Sequence, residues 1–95
     1  MSHTTFEELV AKKRAADEAH ARVAELRTAY GPPAQSRLTG TQSETYETAL
    51  RAWRDLARDL STALNEYAGQ EGRPRPEVED EVARAAREGG EGAES

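Results

Sequence analysis

The side chains with most chemical capacity in this chain are arginines, carboxylates and two imidazoles, and their spacing limits what they can do. Arg51, Arg54 and Arg58 recur at steps of three and four, which lines three guanidinium groups along one side of a helix. Such a run could grip nucleic acid or an acidic partner, with Arg73 and Arg75 adding to it. Asp55 and Asp59 share that side, so the run reads first as a solvated charge lattice. Glu18, Glu25, Glu47, Asp55, Asp59 and Glu66 could supply an acid and a base. A catalytic carboxylate needs a pocket that shifts its pKa, and all six fall at helix-surface positions. His3 and His20 are the only histidines. His20 has Asp17 and Glu18 beside it, but a transition-metal site draws on several convergent ligands. No Gly-rich phosphate loop follows a strand, and no nucleophile elbow occurs. Ser36, Ser43 and Ser61 read as loop, cap and exposed helix positions. With no cysteine, thiolate metal sites, disulfides and cysteine nucleophiles are excluded. The expectation is no catalytic residue, no cofactor and no metal: this is not an enzyme.

The elements that must position these residues are two long amphipathic helices. Tyr46, Leu50, Trp53, Ala57, Leu60, Leu64 and Tyr67 follow one another at steps of four and three. Leu9, Lys12, Ala16, Ala19, Val23, Leu26 and Tyr30 keep the same rhythm. That spacing holds one stripe of each helix against a partner, as in a coiled coil. The chain therefore predicts an all-α fold: an antiparallel helical hairpin of two long helices plus a short third helix.

The boundaries follow from caps and breakers. Residues 1–4 read as a flexible start. The first helix spans 5–30, opened by a capping box of Thr5 with Glu8, or Thr4 with Glu7, and closed by Gly31-Pro32-Pro33. Residues 31–42 form the connection, with Leu38 expected to pin the hairpin end. The second helix spans 43–68, opened by Thr41 with Glu44 and stopped at Gly69, which completes a hairpin over 5–69. Each arm is about 26 residues, or ~39 Å. Glu8 with Lys12, Glu18 with Arg22 and Glu47 with Arg51 are expected as i,i+4 pairs. Residues 70–75 read as a linker. A short helix over 76–88 starts with Pro76 and carries only Val78, Val82, Ala85 and Ala86 as apolar residues, so weak docking is expected. Residues 89–95 read as a disordered tail.

Folding the arms together brings Leu26 to Leu50, Val23 to Trp53, Ala19 to Ala57, Ala16 to Leu60 and Leu9 to Tyr67, with large side chains set into small ones. Leu56, with Ala49 and Ala63 beside the seam, makes the apolar face of the second helix wider than one partner helix covers. At 95 residues, 36% hydrophobic and 33% charged, the chain has a lean core and no disulfide to compensate. Self-association as a homodimeric four-helix bundle would cover the remainder. Val23, Leu50, Trp53, Leu56, Leu60 and Leu64 are the expected interface residues.

The function read from this is a small non-enzymatic protein–protein interaction module, an adaptor or a regulatory or assembly protein, that self-associates and meets another protein. A net charge of −5 disfavours a general nucleic-acid coat, which leaves a small nucleic-acid-associated regulator as a minority reading. Mean hydropathy is −0.90 and no stretch reaches the ~20 apolar residues of a membrane span, so no membrane partner is expected. Met1-Ser2-His3-Thr4 leads into a charged segment rather than an apolar signal region, so the expected location is cytoplasmic. Arginine outnumbers lysine and alanine is abundant, which reads as a GC-rich, bacterial genome.

A second reading rests on two short motifs. Leu38-Thr39-Gly40 stands in the turn, with Leu in the place of a Trp, and Tyr67 precedes Glu71 by four residues. Together with the length, the acidity and the two antiparallel helices, this resembles the small helical-hairpin substrates of type VII secretion, the Trp-x-Gly family. The resemblance implies export by a signal-peptide-independent route, with Tyr67 and Glu71 as the signal.

Overall fold

Helix α1 (Phe6–Tyr30) begins where the first capping box places it. The Glu8 amide donates to Thr5 Oγ1 at 3.1 Å, and the Thr5 amide donates to Glu8 Oε1 at 2.8 Å. Two of the four orphan donors at the helix start are thereby satisfied. The helix ends at Gly31, whose φ of 83° suits a residue without a Cβ. The computed structural model describes residues 4–31 and 40–92. His3 and the connecting residues 32–39, Leu38 among them, lie outside the described residues.

Helix α2 (Gly40–Glu71) is longer at both ends than the 43–68 read from the caps. Thr41 is its second residue, so the Thr41–Glu44 box does not open it. At the other end Gly69 stays helical, and Gly72 takes the left-handed conformation with φ 63°. The Arg73 amide reaches the Ala68 carbonyl at 3.0 Å and the Gly72 amide reaches that of Gly69 at 3.4 Å. This pair of bonds is a Schellman closure, which satisfies the last carbonyls of the helix. Pro74, two residues after Gly72, marks the same stop in the sequence.

Helix α3 (Arg75–Gly92) follows after three residues. The Pro74 carbonyl accepts from the Val78 amide at 3.3 Å, so Pro76 sits within the first turn, where its missing N–H removes no bond. The helix continues through residues 89–92, which the composition read as tail; 93–95 lie outside the described residues. α3 is docked rather than loosely held. Val78 is 0% and Val82 2% exposed, and Ala86 is buried as well. The steps of four put these small side chains on one stripe, and small Ala63 and Ala68 on α2 let the helices approach. One cluster joins Leu9, Ala63, Leu64, Ala68, Val78 and Val82, with Phe6, Val10, Leu60 and Tyr67 packed around it.

Every described element is helical, and the two arms run antiparallel with α3 across their base. The axial offset differs from the one expected. The ring of His20 lies against Trp53, and Phe6 lies against the Tyr67 ring at 6.2 Å, while Leu9 sits in the cluster on which Tyr67 packs. Both ring contacts fall three residues earlier on α1 than Val23 and Leu9, just under one turn. Polar contacts at the base are made in that offset: Lys12 Nζ meets Asp59 Oδ2 at 2.7 Å. The Thr4 amide donates to Gln70 Oε1 at 3.2 Å while Gln70 Nε2 donates back to the Thr4 carbonyl at 3.0 Å. Thr4 is thus tied down, where residues 1–4 read as a flexible start.

Candidate interaction face

α1 and α3 bury one side of α2 and leave the rest of its apolar surface incompletely covered. Of the six residues expected at an interface, Val23 is 1% and Leu64 5% exposed, because the chain's own core uses them. They face inward and cannot belong to an association surface. Leu50, Trp53, Leu56 and Leu60 are half-buried. Leu60 packs on the core cluster and also lines a groove of about 380 Å³ between α2 and α3, with Ala57, Ser61, Val82 and Ala83. Trp53 is closed on one side by His20, whose ring centroid lies 4.6 Å away.

The charged groups are arranged as surface partners. Arg58 pairs with Asp55 at 3.3 Å, while Arg51 and Arg54 make no ion pair among the described residues. The expected i,i+4 pairs Glu8–Lys12, Glu18–Arg22 and Glu47–Arg51 do not form. Lys12 crosses to Asp59 on α2, and Arg22 turns to Glu25 at 3.6 Å. An exposed pair of long side chains gains little, so a cross-helix contact or a different turn competes successfully. The hydrogen bond to Asp59 holds the Lys12 ammonium above its ordinary value.

The junction between α2 and α3 carries the densest ionic contacts. Arg73 donates to Glu81 from both terminal nitrogens, one at 3.1 Å, and lies 3.5 Å from Glu77. The hydrogen bonds from Arg73 hold the Glu81 carboxyl below the usual carboxylate range, and the same bonds raise the Arg73 guanidinium. Arg75 spans three partners: Glu79 at 2.6 Å, Asn65 at 2.7 Å and Ser61 at 3.1 Å. Arg73 and Arg75 are therefore engaged in holding α3 and do not extend the Arg51–Arg54–Arg58 run. This role was missed in the sequence; Arg73 with Glu77 and Arg75 with Glu79 at i,i+4 was its visible signal.

The acidic candidates do not converge. Asp59 is held by Lys12, Glu66 accepts from Thr4 Oγ1 at 2.9 Å, and Glu25 pairs with Arg22. Glu18, Glu47 and Asp55 are exposed on different helices or turns. Among the described residues no three His, Asp or Glu side chains gather as metal ligands, and no polar or charged side chain is buried. Tyr67 and Glu71 both lie in the last two turns of α2, Tyr67 half-buried against Phe6 and Glu71 exposed. No helix among the described residues is long and apolar enough to cross a membrane.

Comparison with protein-family models, with curated proteins and with solved structures gives no match.

Proposed function

We propose that the chain is a small non-enzymatic protein–protein interaction module, an adaptor or assembly protein, that self-associates through α2. The observation behind this reading is that Leu50, Trp53, Leu56 and Leu60 remain half-exposed on one helix after α1 and α3 have packed. Scattered apolar residues are ordinary on a surface, but a run on one helix that includes the only tryptophan marks an association face. In a dimer the uncovered faces of two hairpins pack together, which gives the four-helix arrangement at the centre of the assembly. The acidic net charge keeps the free chain soluble until it meets its partner.

The reading is tested with Leu50→Asp, which places a charge on the half-buried apolar run of α2. Light scattering across a concentration series should show the variant as a monomer where the parent chain is a dimer, with circular dichroism unchanged. A parent and a variant of identical mass at every concentration would refute it.

A further inference from the structure

We propose that the second copy docks antiparallel on α2 about a two-fold axis at Leu50, with Glu47 of each chain facing Arg54 of the other. This rests on the self-association reading above and supplies its geometry. The stripe of α2 that faces α3 is marked by Ala57 and Leu64 in the shared groove and by Ser61, which accepts from Arg75 at 3.1 Å. One heptad earlier on the same stripe stand Leu50, in line with Ala57, and Arg54, in line with Ser61; Glu47 is a heptad before Arg54. α3 has no apolar side chain after Ala86, so it brings nothing to cover Leu50, which is half-buried while Glu47 and Arg54 are exposed.

Charge selects the occupant. Lys12, Lys13, Arg22, Arg58, Arg73 and Arg75 all have acidic partners within the chain. Glu47 and Arg54 make no ion pair among the described residues, which is also true of Arg51, Arg84, Arg87 and Glu44; what sets Glu47 and Arg54 apart is that they share one stripe beside Leu50. They flank Leu50 at three residues before and four after, with opposite signs. An isologous contact must be complementary to itself. Two α2 helices set antiparallel with Leu50 on the partner's Leu50 bring Glu47 opposite the partner's Arg54, and Arg54 opposite the partner's Glu47. A foreign acidic helix would satisfy Arg54 and repel Glu47; a foreign basic helix would do the reverse. A second copy satisfies both and covers Leu50 at once.

The test uses Glu47→Arg and Arg54→Glu in the full chain, each measured by sedimentation equilibrium at low salt, alone and mixed in equal amounts. Both positions are exposed, so circular dichroism should stay at the parent level. Each variant alone sets like charges against each other twice and should weaken the dimer at least about tenfold. The equimolar mixture restores opposite charges at both contacts and should form a heterodimer near parental affinity. Leu50→Asp, the third variant, should be monomeric. Single variants that dimerise like the parent, or a mixture no tighter than its components, would overturn this geometry while leaving self-association standing. A parent chain that is monomeric throughout would overturn both.

Discussion

His20 and Trp53 stack across the hairpin with ring centroids 4.6 Å apart and planes tilted by 48°. This contact closes one side of the indole at a level of the hairpin where α3 supplies no apolar cover. The other side of Trp53 stays partly open, which makes the residue a reporter for whatever covers the face.

His20→Ala removes that wall. Aromatic pairs contribute about 0.5–1.5 kcal/mol beyond the area they bury, so the variant should lose about that much in urea unfolding. Acrylamide quenching of Trp53 should rise at the same time. Unchanged quenching would mean that the imidazole shields nothing.

Val78 tests the docking of α3. It is 0% exposed and lies in the cluster with Leu9 and Leu64. Val78→Ala removes about two methylene equivalents and leaves a small cavity, a cost of about 2 kcal/mol. The reduced urea midpoint should come with an unchanged m-value, because the same surface is still exposed on unfolding. A cost within error of zero would contradict a docked third helix.

The two glycines at the end of α2 should respond in opposite directions. Gly69 is helical, and a Cβ there meets nothing within 4 Å; Gly72 has φ 63°. Gly69→Ala should stabilise by about 0.4–1 kcal/mol, and Gly72→Ala should destabilise by about 1–2 kcal/mol. Thermal unfolding of the pair checks both signs, and the reverse order would place the helix stop at Gly69.

Acid should weaken the α2–α3 junction. The Arg73 hydrogen bonds depress the Glu81 carboxyl from its ordinary value of 4.5. A depressed carboxylate contributes stability above the unfolded value and loses it as pH falls through the folded one. The parent chain should therefore lose stability on going from pH 5 towards pH 2 more steeply than Glu81→Gln, measured by urea unfolding at each pH. Parallel profiles would show that the Arg73–Glu81 contact contributes nothing to folding.

Local signals in the sequence were legible because they act within a few residues. Thr5 with Glu8 and Gly31 bracket α1 through hydrogen bonds that depend on the segment alone. The steps of three and four likewise identify which stripe of each arm is apolar. They do not give the offset between the arms, since sliding one helix by nearly a turn keeps both stripes in contact. The offset is set by contacts between residues far apart in the chain, of which Lys12–Asp59 and Thr4–Gln70 are examples. For the same reason Val23 and Leu64 looked like Leu50 and Trp53: periodicity cannot separate the inward part of a seam from the outward part. α3 was undervalued by counting its apolar residues. Val78, Val82 and Ala86 suffice because they share one stripe; Val78 and Val82 join the cluster with Ala63 and Ala68 of α2, and the Ala86 carbonyl accepts from Arg14 of α1 at 3.3 Å. Its helical range past residue 88 ran against the glycines of the tail, which are poor helix formers.

Sedimentation velocity on the full chain between one and one hundred micromolar, set by dilution, tests self-association most directly. A reversible shift towards twice the chain mass of 10.4 kDa, with a blue shift of Trp53 emission over the same range, is the predicted result. A single species at 10.4 kDa throughout, with constant emission, would contradict the account.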